Sequence, residues 1–318
     1  MKAGVNVVKP KALKKGDTIG VVAPSGFSEE SNLNKAKAIL ENEGYIVKCG
    51  KSCYEKYGYL AGHDEIRAED INLMFQNPEI DAVFCMKGGY GAPRILDRID
   101  YETISKNPKI FIGYSDITAL HIPFVQKSGL VTFHGPMLTS DFLSKEFFEQ
   151  AFRDMLWALT TPEPLGKIKA PPMCPKEEML VAGSAEGTTI GGNLSLIAAS
   201  LGTPYEIDTK QKLLLLEDVD EEPYSIDRML TQLRLAGKLE DASGIVLGQF
   251  TNCNPKEPEN SLTLDEIFCD ILVPLGKPII KNVCFGHGPY KYTLPLGVKA
   301  RIDQEETAFI VEESALHL

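Results

Sequence analysis

The first half of the chain alternates short β-branched runs with amphipathic stretches, the pattern of βα units packed around a parallel sheet. Thr18-Ile19-Gly20-Val21-Val22-Ala23 reads as the first strand, followed by a helix capped by Ser31 with Leu33, Ala36, Ile39 and Leu40 on one face and Gly44 at its end. Tyr45 to Cys49 is the next strand, then a helix near Asp64 to Phe75, a strand at Ala82 to Met86, a glycine-rich turn and a helix from about Ala92. Lys109 to Ile112 is a further strand that runs into Gly113-Tyr114-Ser115-Asp116, after which Ile117 to Val125 reads as helix. Loops at the carboxyl ends of such strands are where open α/β sheets bind ligands.

A chain of 318 residues exceeds the size at which a single core keeps growing, so two domains are expected. Pro162, Pro164, Pro171, Pro172 and Pro175 mark 161–178 as an interdomain linker, with a structured lid as the alternative. The second half mixes its elements without strict alternation. Gly187 to Ile190 and Lys212 to Leu216 read as strands, the latter ending in Glu217-Asp218. A helix capped by Ser225 carries Ile226, Met229, Leu230 and Leu233 on one face, with Tyr224 stapled to Met229 and Gly237 as the stop. The expected class is α/β: an N-terminal domain over 1–160 with a parallel sheet, and a smaller α+β domain over 179–318.

Charge narrows the function. Thirty-three basic against 44 acidic residues give a net −11, which disfavours nucleic acid as a partner. Neither a signal peptide at Met1-Lys2-Ala3-Gly4-Val5 nor a membrane span is expected. The seven scattered cysteines fit a cytoplasmic chain with reduced thiols. Cys49 and Cys53 lack the second pair and the nearby histidine of a closed zinc site, so no metal or cofactor is expected.

Ser115 falls where a strand becomes a helix, the geometry that exposes a nucleophilic hydroxyl; the alternative is a hydroxyl that caps the helix. Gly113 supplies the first glycine of a nucleophile elbow, whereas Ile117 replaces the second. A serine needs a base, and there are five histidines. His63 precedes a helix, His121 lies inside one, and His317 is in the tail. His134, in Thr132-Phe133-His134-Gly135-Pro136, is either a substrate contact or structural. His287, between Gly286 and Gly288 at an expected loop tip, is the best candidate. Glu217 emerges from four leucines as the orienting acid, with Asp218 and Asp220 as rivals on the same turn. Lys87-Gly88-Gly89-Tyr90-Gly91 is not a nucleotide loop; it is either a tight turn or a source of amides for a negative oxygen.

Taken together, Val21-Val22-Ala23-Pro24-Ser25, Lys87-Gly88-Gly89-Tyr90-Gly91, Ile112-Gly113-Tyr114-Ser115-Asp116, Gly191-Gly192-Asn193-Leu194, Leu216-Glu217-Asp218 through Ile226-Asp227-Arg228-Met229, and Gly286-His287 with Leu294-Pro295-Leu296-Gly297 resemble the LD-carboxypeptidase family over almost the whole chain. That family includes muramoyl-tetrapeptide carboxypeptidases and microcin C self-immunity proteins. The resemblance implies a flavodoxin-like N-terminal domain joined to a smaller C-terminal one, with the site in the crevice between them. It also implies a Ser115–Glu217–His287 triad, an oxyanion hole from the amides of Gly88 and Asp116, a small peptide substrate, and a homodimer. Lys87 departs from the family's arginine and loses its bidentate fork.

The implied reaction is hydrolysis of the L,D bond that holds the terminal D-amino acid of murein tetrapeptide. The runner-up is an amidase for aminoacyl-nucleotide toxins, and a third possibility is a binding protein without turnover. The runner-up favours an aromatic platform for the nucleobase, but Trp157, the sole tryptophan, is expected to be buried in its helix. Lys87, Arg94 and Arg228 are the cations available for a substrate carboxylate, and sequence does not choose among them.

Overall fold

A computed structural model describes residues 6–144, 149–168, 171–172 and 174–318. The N-terminal stretch 1–5 and positions 169, 170 and 173 of the proline-rich segment lie outside the described residues. The chain divides into two compact units, one formed by Met1–Glu163, Tyr292–Gly297 and Ser314–Leu318, the other by Pro164–Lys291 and Val298–Glu313.

In the first unit, β1 (Thr18–Val22), β2 (Ile46–Cys49), β3 (Ala82–Cys85), β4 (Ile110–Gly113) and β5 (Thr132–His134) form a parallel sheet. Their spatial order, β2-β1-β3-β4-β5, is that of flavodoxin-like doubly wound folds. β1, β3, β4 and β5 are buried throughout, which explains their unbroken apolar character. Phe75, from helix Asp64–Gln76, and Phe124, from helix Thr118–Ser128, pack on Phe111 of β4, with ring centroids 6.3 and 4.7 Å from it. Leu294–Leu296 returns from far along the chain to pair antiparallel with β5. The expectation of one unbroken second domain over 179–318 is therefore corrected at 292–297 and 314–318.

The second unit is a mixed eight-stranded sheet comprising β6 (Gly166–Lys167), β7 (Glu178–Val181), β8 (Ala185–Asn193), β9 (Lys212–Val219), β10 (Gly244–Thr251) and β11 (Ile279–Lys281). After β12, the Leu294–Leu296 strand of the first sheet, β13 (Lys299–Asp303) and β14 (Ala308–Val311) complete it. β8, β9, β10 and β11 run parallel at its centre, and the flanking strands pair antiparallel. Leu213, Leu214, Leu215 and Leu216 lie on the central β9 and are fully buried.

The 161–178 segment is not a free linker. β6 pairs with β14, the Ile168 amide donates to the Phe309 carbonyl at 3.3 Å, and Ile168 is buried. Prolines remove donors only at their own positions, so Gly166 to Ile168 remain able to pair at a sheet edge. Two expected caps also move. The helix at Glu30–Asn42 starts after Glu29, one residue before Ser31, and the helix at Pro223–Leu235 starts after Glu222 because Pro223 suits the first helical turn. Tyr224 is exposed and gives no staple, whereas Gly237 takes the left-handed conformation expected of a stop. Trp157 is 45% exposed, off the face on which Phe152, Met155 and Leu159 are buried.

Candidate active site

β4 ends at Gly113, Tyr114 stays extended, and Ser115 turns the chain into the next helix with φ +63°. A non-glycine residue in this region is strained, and such strain persists only where neighbouring structure holds it. The absence of the second elbow glycine has a local explanation. Ile117 is fully buried, and a Cβ placed on Gly113 would come within 3.0 Å of both the Ile117 side chain and Cys85, so Gly113 alone provides the clearance. Gly88 packs against the serine, since a Cβ there would lie 3.1 Å from Ser115 Cβ and 3.3 Å from its Oγ.

The side chain of Asp116 fixes the surrounding loops. Its Oδ2 accepts from Ser25 Oγ at 2.5 Å and from the Ala92 amide at 2.7 Å. Burial pushes this carboxyl up to about 6, against the opposing pull of those hydrogen bonds and of Arg67. Arg67 is fully buried and donates to the carbonyls of Pro24 and Gly91 while pairing with Asp64. Asp64 also takes a forked pair of bonds from Arg94, which removes Arg94 from the available cations. The loop after β1, the glycine loop after β3 and the serine turn after β4 are thus held together by Arg67 and Asp116.

The first unit holds His63, His121, His134 and His317. His121 is buried, with Nε2 2.8 Å from the Gly113 carbonyl and Nδ1 2.9 Å from Thr132 Oγ1, and burial depresses its pKa to about 3, so it is neutral. His134 is 2% exposed, in register with Gly113, its ring 5.9 Å from that of Tyr114. His63 precedes helix Asp64–Gln76 and packs on Tyr57 at 4.2 Å, while His317 is exposed.

In the second unit, Glu217 is fully buried on β9 and its Oε2 lies 2.6 Å from His287 Nδ1. A carboxylate accepts and does not donate, so Nδ1 carries the proton and Nε2 is the basic nitrogen. Gly286, at φ +116°, makes this approach possible, because a Cβ there would stand 2.7 Å from Glu217 Oε2. Successive strand residues face opposite sides, which disposes of Asp218. Its oxygens accept from Asn193 Nδ2 at 2.9 Å and from the amide and hydroxyl of Ser195 at 2.9 and 2.8 Å. Burial pushes its carboxyl up to about 6. Asp220 turns away at φ +58° and accepts from Asn252.

The loop carrying His287 is stitched to β10, not a free tip. The Gln249 carboxamide accepts from the Gly288 amide at 2.9 Å and donates to the Tyr290 carbonyl at 3.0 Å, and the Gln249 amide donates to Phe285. Sequence inspection missed both Gln249 and Arg67, because their partners lie tens of residues away. The nearest sequence signal for Gln249 is Gly288, where a Cβ would collide with its carboxamide.

Ser115 and Gly88 thus belong to the first unit, and Glu217 and His287 to the second. Among the described residues, no group of three or more His, Cys, Asp and Glu could hold a metal ion, and no helix is long and apolar enough to cross a membrane. The parts present are those of acyl transfer: a strained serine, a buried carboxylate and an imidazole with a basic Nε2.

Residues 19–135 match the family model of the LD-carboxypeptidase N-terminal domain, and residues 186–302 that of the LD-carboxypeptidase C-terminal domain. The chain is 45% identical over 311 residues to a probable murein peptide carboxypeptidase of Bacillus subtilis, covering 96% of this chain and 94% of that one. Among solved structures, an MccF-like protein from Bacillus anthracis superposes with a TM-score of 0.86 at 28% identity, over 97% of this chain and 100% of that one. A muramoyltetrapeptide carboxypeptidase from Oxalobacter formigenes superposes with a TM-score of 0.81 at 29% identity, over 93% and 99%.

Proposed function

This chain belongs to the LD-carboxypeptidase family, and from that premise we propose that it is a serine peptidase that cleaves the L,D bond of murein tetrapeptide and releases the terminal D-amino acid. The observation that carries the assignment of roles is the 2.6 Å contact between a fully buried Glu217 and His287 Nδ1. An uncompensated charge so deep is costly, and an acid that orients and stabilises an imidazolium accounts for its being there.

In the proposed mechanism, His287 Nε2 takes the proton from Ser115 Oγ as that oxygen attacks the scissile carbonyl carbon. The backbone N–H groups of Gly88 and Asp116 receive the resulting oxyanion. Collapse breaks the C–N bond, and the imidazolium returns its proton to the departing amine. Water, deprotonated by the same nitrogen, then attacks the acyl-enzyme and frees the tripeptide acid. Glu217 stays ionised and holds the ring throughout.

A role in peptidoglycan recycling, a cytoplasmic location and a homodimer complete the proposal. The odd number and scatter of the seven cysteines along the sequence support the location, which fractionation tests, and light scattering tests the dimer. Purified protein incubated separately with a muramyl tetrapeptide and an aminoacyl-sulfamoyl adenosine, with products followed by mass spectrometry, tests the activity. D-Alanine release is the expected result; cleavage of the nucleotide alone indicates an amidase, and silence toward both rejects the enzyme assignment.

A further inference from the structure

Lys87 is exposed and leads directly into Gly88, the residue packed against Ser115. It lines a cavity of about 450 Å³ together with Gly26, Phe27, Tyr59, Gly89 and Tyr90, all in the first unit. Among the described residues nothing pairs with its ammonium, in contrast to Arg94, which is committed to Asp64. The cavity's aromatic wall is formed by Tyr59 and Tyr90, with ring centroids 5.9 Å apart, and by Phe27, over which a second cation, Lys56 Nζ, lies at 3.9 Å. Glu29 is the acidic residue of the lining and is exposed.

We infer that Lys87 selects substrates by the free carboxylate of the departing residue, an inference that rests on the peptidase proposal above. A carboxypeptidase accepts a single residue beyond the scissile bond, so its carboxylate sensor must stand about one residue from the oxyanion donors. Consecutive Cα atoms are about 3.8 Å apart. From the position next to Gly88, an ammonium on a four-carbon stem sweeps that zone. The aromatic wall covers the stem and the apolar side of the terminal residue, while Lys87, the cation of the lining, supplies the charge for its carboxylate. Lysine at this position acts as a point charge and not a fork, so it senses charge more than carboxylate orientation.

The test compares a muramyl tetrapeptide ending in a free carboxylate with the same peptide ending in a carboxamide, the latter as substrate and as competitive inhibitor. Lys87→Met should raise KM for the free acid about 10- to 100-fold, the range expected for one charged hydrogen bond, with kcat nearly unchanged. Its Ki for the carboxamide should stay within about twofold of wild type, and Lys87→Arg should restore preference for the acid. Equal effects on both peptides, or none on the free acid, overturn the inference while an active wild-type enzyme keeps the peptidase proposal standing. An inactive wild-type enzyme overturns both.

Discussion

Glu217→Gln preserves the size of a fully buried side chain and removes only its charge, which makes it the sharpest perturbation of the proposed chemistry. In the native pair, Nδ1 donates to Oε2 at 2.6 Å, and the ring presents a basic Nε2. A carboxamide can present its NH₂ to Nδ1, which moves the ring proton to Nε2 and abolishes the base. If its oxygen faces the ring instead, no charge offsets the imidazolium formed during attack. Loss of the equivalent acid in serine peptidases lowers kcat about 10⁴-fold, which corresponds to roughly 5.4 kcal/mol at 1.36 kcal/mol per tenfold. The fold should survive, because exchanging a buried carboxylate for its neutral isostere removes a desolvation penalty along with the attraction. Initial rates of D-alanine release, with circular dichroism and thermal melts on the same samples, provide the assay. A folded Glu217→Gln enzyme within about tenfold of wild-type kcat would refute the orienting role.

Gly286→Ala should lower kcat comparably and also lower Tm, since its methyl group would lie 2.7 Å from Glu217 Oε2 at a φ of +116°; rates and melts on one preparation check both effects. Ser115→Gly should abolish turnover yet raise stability by about 1 kcal/mol in urea titration, because glycine relieves the φ of +63°. Arg67→Met should destabilise by about 1 to 3 kcal/mol, as it leaves the carbonyls of Pro24 and Gly91 without their buried donor while Asp64 keeps Arg94, again read by urea titration. For Asp218, burial raises the folded pKa to about 6, above the unfolded value of about 3.9. The folded state therefore holds its proton more tightly, and the stability this contributes is present below about pH 4 and lost as pH rises through 6. Wild type should lose about 1 to 3 kcal/mol relative to Asp218→Asn between pH 4 and 7; a pH-independent difference in urea midpoints would contradict this.

Much of the first unit was legible because buried parallel strands leave unbroken apolar runs and their helices leave periodic faces. Gly113 reads from sequence as the first glycine of a nucleophile elbow and Gly286 as freedom for the backbone beside His287, and the structure shows what each accommodates: Ile117 and Cys85 in one case, Glu217 in the other. What sequence could not show is pairing at long range. Arg67 looks like half of an ordinary i,i+3 ion pair with Asp64, and only the fold brings it to Pro24 and Gly91. Gln249 ends an apolar run with nothing to distinguish it, and its role arises from the loop 35 to 41 residues later. The proline-rich segment misled for a related reason, because edge pairing with β14 depends on a strand well over a hundred residues downstream.

In the proposed reaction Ser115 carries the acyl group during turnover. Wild-type enzyme quenched in acid during reaction with muramyl tetrapeptide, then digested and analysed by mass spectrometry, tests it most directly. The expected result is the tripeptidyl acyl mass on the peptide containing Ser115, and no such adduct in His287→Ala. D-Alanine release by wild type with the acyl group on another residue would contradict it.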